Sequence, residues 1–192
     1  MNGHLRATLA EGRHAYTLRV YYEDTDAGGV VYHASYLRFA ERARTEALRD
    51  LGIPHSALVA RFGAMFVVRR IKVDYVRPAR VDESLMVTTE PLDVGGASLL
   101  LRQEIRNDAG TCAVLEVRLA CVTPNGDKPA RLPPPWRSVL TAMWEANRER
   151  DAYRPSAPDR GREAKSGRDI GGRRNLEPGG EQRGEPGGRH GE

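Results

Sequence analysis

The chain has 192 residues and a net charge of +4 at pH 7, and its composition changes abruptly near residue 150. Residues 151–192 hold 10 of the 20 Gly and 4 of the 12 Pro, with Ala152, Tyr153, Ala157, Ala164, Ile170 and Leu176 as the only apolar side chains, so the segment lacks the burial needed to offset its ordering entropy and reads as a disordered tail. The tail carries 9 Lys+Arg against 8 Asp+Glu, which leaves only +3 for a remainder of about 150 residues, the size of one domain rather than two, and excludes a strongly basic nucleic-acid binder.

Residues 1–14 show no periodicity and are expected to be a flexible N-terminus ahead of a domain spanning 15–150. From Tyr16 to Tyr22 the side chains alternate as in a half-buried strand, and Glu23 to Gly29 form a polar, Gly-containing loop. A helical period follows, with Leu37, Ala40, Arg44, Ala47 or Leu48, and Leu51 three or four residues apart. Ser35 is the expected N-cap, and Gly52 with Pro54 gives the stop signal.

Four strand-like runs come next. In the first, Val67, Arg69, Ile71, Val73 and Tyr75 are expected on one face, with Arg70, Lys72 and Asp74 on the other, and Pro78 ends the run. The second is Leu85 to Glu90. The third, Ala97 to Asn107, places Leu99, Leu101 and Ile105 on one face. After a turn at Asn107 to Gly110, the fourth alternates through Ala113, Leu115, Val117, Leu119 and Cys121. Runs this long suggest a curved antiparallel sheet covered by one long helix. The triple proline at 133–135 closes the sheet region, and Trp136 to Arg150 is expected as a short helix with Trp136, Val139, Leu140, Met143 and Trp144 on one side.

Cys112 and Cys121 fall in one strand, about 30 Å apart at roughly 3.3 Å per residue, too far for a disulfide. With no His or helix start beside them in sequence, they read as buried thiols rather than nucleophiles. No apolar leader follows Met1 and no apolar run reaches the length of a membrane span, so a soluble, cytoplasmic protein is expected.

The chemistry concentrates in Tyr22-Glu23-Asp24-Thr25-Asp26-Ala27-Gly28-Gly29-Val30-Val31-Tyr32-His33, where three acids crowd into four positions just before a helix. The loop lacks the alternating oxygen ligands and terminal Glu of a calcium loop, and His33 alone does not complete a zinc set. Neither a metal nor a redox cofactor is expected.

The run Val20 to Tyr36, continuing through Glu41-Arg42-Ala43-Arg44, Phe66 to Arg70 and Tyr75-Val76-Arg77-Pro78-Ala79-Arg80, closely resembles hotdog-fold thioesterases related to 4-hydroxybenzoyl-CoA thioesterase. It is most similar to the Tol-Pal-associated, YbgC-like acyl-CoA thioesterase branch. The resemblance reaches about Pro135 and covers none of the tail. It implies an α+β hotdog fold, a curved antiparallel sheet wrapped around one long helix, and hydrolysis of acyl-CoA to free acid and CoA. It also implies that Asp26 is the catalytic carboxylate, as nucleophile or general base, with Tyr22 and His33 in support and the His33 peptide N–H near the thioester carbonyl. Hydrolysis needs a carboxylate or activated water together with donors where negative charge develops on the carbonyl oxygen, and a helix start can supply such donors.

Arg69, Arg70, Lys72, Arg77 and Arg80 are candidate holders of the CoA phosphates. A homodimer or homotetramer is expected, with subunits pairing to build the substrate groove. Acyl carrier protein is a further candidate partner. Two other readings stay open: another hotdog activity such as hydration or dehydration of an acyl thioester, and an acyl-thioester binding or scaffold role linked to the cell envelope or to acyl carrier protein.

Overall fold

The computed structural model describes residues 12–52, 54–126 and 128–153. The segment 154–192, most of the expected tail, and residues 1–11 of the expected flexible N-terminus lie outside the described residues. Five strands form one antiparallel sheet: β1 (His14–Arg19), β2 (Met65–Tyr75), β3 (Ser84–Val94), β4 (Ser98–Asn107) and β5 (Gly110–Val122), in the order β1-β3-β4-β5-β2. Helix α1 (His33–Asp50) packs on the sheet. A short α2 (His55–Phe62) follows it, and α3 (Pro134–Tyr153) packs against β3. This is the curved α+β hotdog arrangement. No helix among the described residues is long and apolar enough to cross a membrane.

The long alternation on β4 and β5 builds the floor of the core. Leu99, Leu101 and Ile105 join Ala113, Leu115, Val117, Leu119 and Cys121, and all eight are buried. From above, α1 contributes Tyr36, Phe39, Ala40, Ala43, Ala47 and Leu48, whose small alanines let the helix lie close to the sheet. Both cysteines are free and buried, and burial pushes each thiol pKa up, which favours the inert form over a nucleophile.

Several local expectations are corrected. The first strand ends at Arg19, and Tyr22–Asp24 is a single 3₁₀ turn, because the Asp24 carboxylate accepts the Tyr21 N–H at 3.0 Å and curls the chain. Ser35 is not the N-cap. Helix α1 begins at His33 after Tyr32, with no side-chain cap, and the Ser35 hydroxyl in its first turn donates to the Asp24 carbonyl at 2.9 Å. Pro54, read only as a stop signal, also starts α2: its carbonyl accepts the Ala57 N–H at 3.0 Å. Pro134 and Pro135 lie inside the first turn of α3, where a missing N–H costs nothing, and the helix runs three residues past the expected end at Arg150.

In β2 a bulge between Val68 and Arg70 inserts Arg69 without a partner on β5. One extra residue swaps the faces. Val68 therefore pairs with the buried Leu119, Phe66 with Cys121, Ile71 with Val117 and Val73 with Leu115. Val67 and Arg69 do not share the core face of Ile71 and Val73, as simple alternation predicts. Strand β3 continues past Glu90 to Val94 because β1 pairs with it only as far as Thr89. Beyond that point Pro91 owes no ladder hydrogen bond on that side. Helix α3 covers the gap: the Trp144 indole donates to the Leu92 carbonyl at 2.9 Å and the Asn147 amide to the Pro91 carbonyl at 3.4 Å.

Gln103 lies on the core face of β4 and is 0% exposed. Its amide nitrogen donates to the Ala40 carbonyl of α1 and to the Thr89 hydroxyl of β3, each at 2.9 Å. Its oxygen accepts from Arg44 at 2.6 Å, and Arg44, 6% exposed, also pairs with Glu41. Gln103→Leu keeps the volume but strands the guanidinium, so it is expected to lower unfolding stability by about 3 kcal/mol. Urea denaturation at unchanged m-value measures this loss.

Candidate active site

The acid-bearing loop is shaped by its own backbone. The Asp26 N–H donates to the Val30 carbonyl at 2.9 Å, and the Asp26 carbonyl accepts the Gly29 N–H at 3.0 Å. Gly29 takes a left-handed conformation with φ 71, which glycine adopts without strain. A Cβ on Gly28 would lie 3.1 Å from Asp26 Oδ1, so the second glycine serves close approach. Neighbouring segments then hold the closed loop in place: Val31 N–H donates to the Ala79 carbonyl at 2.8 Å, and Tyr32 N–H to the Asp24 carbonyl at 2.8 Å.

The two aspartates have opposite environments. Asp24 is 4% exposed. Besides capping the Tyr21 N–H, its carboxylate lies 3.9 Å from the Arg38 guanidinium, and its carbonyl ties down both Tyr32 and Ser35. Asp26 is exposed. One oxygen, Oδ1, accepts the Gly28 N–H at 2.8 Å, which fixes the carboxylate while the other oxygen has no partner among the described residues.

Asp26 lines an open cleft with Tyr32, His33, Tyr36, Tyr75 and Arg77. The first peptide N–H groups of α1, those of His33 and Ala34, donate to no backbone carbonyl among the described residues and are the donors that a helix start leaves unpaired. The His33 ring lies against Tyr32, with centroids 4.2 Å apart. Carboxylate, unpaired N–H groups and aromatic walls are thereby gathered at one end of the sheet. A more enclosed, mainly apolar cavity of about 60 Å³ lies between α1 and the sheet. Its lining includes Arg44, Leu48, Phe66 and Leu119 but no residue of the Asp26 loop, so it is not the candidate site.

The structure brings Asp26 and His33 together, but not Tyr22. That side chain is 82% exposed and is absent from the cleft lining, while the Tyr22 carbonyl accepts the Thr25 N–H and hydroxyl. Tyr32, Tyr36 and Tyr75 provide the aromatic groups instead. Sequence reasoning singled out none of these three, although a Tyr at the end of an otherwise apolar strand face, as at 75, signals a hydroxyl in need of a partner.

The basic candidates do not form one group. Arg77 lines the cleft and donates to the Ala109 carbonyl, and Arg80 bridges to Val30 at the loop. Arg69 sits in the β2 bulge beside a separate depression. Arg70 faces Arg118 across the ladder, and Lys72 lies 3.5 Å from Asp74.

Comparison with known proteins gives the class: residues 28–114 match the model of the thioesterase superfamily, and the chain belongs to that superfamily. It is 44% identical over 119 residues to a Haemophilus influenzae protein named acyl-CoA thioesterase YbgC, covering 62% of this chain and 88% of that one. It is 51% identical over 117 residues to an Escherichia coli acyl-CoA thioester hydrolase YbgC, covering 60% and 87%. Among solved structures, a probable thioesterase from Bartonella henselae superposes with a TM-score of 0.60 at 38% identity, covering 63% of this chain and 99% of that one.

Asp24→Ala removes the cap from Tyr21 and leaves a buried turn underheld. It is expected to cost about 1–2 kcal/mol of stability, whereas Glu23→Ala, at an exposed position, changes stability by less than about 0.5 kcal/mol. Parallel denaturation curves of the two variants test this ranking.

Proposed function

We propose that this chain hydrolyses acyl-CoA thioesters to free acid and CoA, with Asp26 as the reacting carboxylate. The observation that carries the reading is the pairing of a half-satisfied, oriented Asp26 carboxylate with the unpaired His33 N–H at the start of α1, both residues lining one cleft. The names of the 44% and 51% identical relatives support it.

In this mechanism the thioester carbonyl oxygen points at the helix start, where peptide donors and the positive end of the helix dipole stabilise the charge that develops there. Asp26 then acts in one of two ways. As a general base it takes a proton from water, whose oxygen forms the new bond to the carbonyl carbon as the carbon–sulfur bond breaks. As a nucleophile it forms that bond itself, and water hydrolyses the resulting anhydride. In both, the sulfur leaves with the electron pair and is protonated to the CoA thiol. His33 serves first through its peptide N–H. Arg77 and Arg80, at the cleft and the loop, are the best placed of the basic candidates to meet CoA phosphates, and the exposed Tyr22 has the weakest case for a role.

Asp26→Asn is expected to reduce turnover at least about a hundredfold with the fold retained. Asp24→Asn should be milder on turnover, and His33→Ala intermediate because its peptide N–H survives. Thiol release from one good acyl-CoA substrate, with circular dichroism on each variant, checks the order. Near wild-type turnover in folded Asp26→Asn with an inactive Asp24→Asn would assign the chemistry to the other acid.

Assembly belongs to the same proposal. Strand β2 is an edge strand of 11 residues that exposes Val68 and Tyr75. A long edge of this kind invites pairing with a second copy of the chain, an isologous contact that closes on itself. A homodimer or a tetramer built from it is expected by light scattering. A fully active monomer at assay concentration would sink this assembly and the shared groove with it.

A further inference from the structure

We propose that Tyr75 is a positioning residue for this reaction: its hydroxyl, bonded to the His33 carbonyl, anchors the first residue of α1 and so steadies the His33 N–H at the cleft. The inference rests on the hydrolase reading above. It starts from a weakness in α1, whose N-cap residue Tyr32 supplies no side-chain cap. An uncapped first turn frays, yet the proposed chemistry requires donors that do not reorient during the reaction.

Two sets of ties hold that turn. On one side the Asp24 carbonyl accepts from Tyr32 N–H and from the Ser35 hydroxyl. On the other, Tyr75, the last residue of β2, donates its hydroxyl to the His33 carbonyl at 2.9 Å. The His33 carbonyl and the His33 N–H belong to two planar peptides joined at one Cα, so only φ and ψ of His33 lie between them. Holding the oxygen therefore restricts how far the His33 N–H can swing.

The tyrosine is itself well placed to hold this bond. Its ring meets Tyr36 edge-on, with centroids 5.5 Å apart and planes at 68°. Tyr36 is fixed in turn by the Ala79 N–H, which donates to its hydroxyl at 3.0 Å, and the Ala79 carbonyl holds Val31. The end of β2, the 76–80 segment, the acidic loop and the first turn of α1 are thus joined through two phenols. Tyr75 is nevertheless 50% exposed, so its hydroxyl is not there to satisfy a buried group.

Tyr75→Phe in the full chain separates the hydrogen bond from the packing, since the ring against Tyr36 remains. The expected result is a kcat about tenfold lower with KM within about twofold, less than the loss of a whole oxyanion donor because the N–H is misaimed rather than removed. A second measurement does not depend on turnover. With an acyl-CoA bound to Asp26→Asn, the infrared stretch of the thioester carbonyl should shift to lower frequency relative to free substrate, and adding Tyr75→Phe should reverse part of that shift. Unchanged kcat, or an unchanged carbonyl stretch in the double variant, overturns the positioning role while leaving the hydrolase intact. A rise in KM with kcat preserved also overturns it, by showing that the residue only binds. If the wild-type chain releases no thiol from any acyl-CoA, the hydrolase reading fails and takes this inference with it.

Discussion

Gln103 sits in the middle of an apolar strand face, and its amide can be satisfied only if the Ala40 carbonyl, the Thr89 hydroxyl and the Arg44 guanidinium all converge on it. Sliding α1 by one residue moves it about 1.5 Å and turns it by about 100°, which would strand both the amide and the arginine. Apolar packing against Leu99, Leu101 and Leu115 tolerates small displacements of a helix lined with alanine, but this network does not. It fixes the axial position of α1 over the sheet and therefore where the helix start opens. A buried polar cluster of this kind selects one arrangement more than it adds stability, and the placement of the cleft depends on that selection.

From the helix start the constraint passes to the loop. Because Tyr32 is tied to the Asp24 carbonyl, the position of α1 determines where the acidic turn can close. Within that turn the backbone sorts two chemically identical side chains. Asp24 is drawn inward to cap Tyr21 and becomes part of the scaffold. Asp26, two residues on, is turned outward with one oxygen held by Gly28 and the other without a partner among the described residues. The difference between a structural and a reactive carboxylate is made here by hydrogen-bond partners, not by residue type.

Much of this architecture was legible in the sequence, for specific reasons. The alternation of β5 and the three-to-four spacing of α1 are periodic signals over ten residues or more, and the resemblance carried by the acidic loop between a strand and a helix singled out Asp26 and His33. What was not legible lacks a periodic signature. The bulge at Arg69 inserts one residue into Val-Val-Arg-Arg, where either face assignment looks plausible. Helix α2 is too short to establish a period, and Pro54 marks both an end and a beginning. Ser35 has the chemistry of a cap, but only the folded loop shows that its hydroxyl is taken by Asp24. Tyr22 and Tyr75 are equally tyrosines in sequence, and it is the pairing of β2 with β5 that carries Tyr75 to His33, 42 residues away.

The two free thiols have a use unrelated to chemistry at the cleft. Cys112 and Cys121 lie near opposite ends of β5, the strand flanked by β4 and β2, and burial keeps both sulfurs protonated and shielded. A thiol reagent reaches them only when the sheet around β5 opens. The chain therefore carries two native clocks on an interior strand, and the relative rates at which they are labelled report whether the hairpin end or the far end of the sheet opens first.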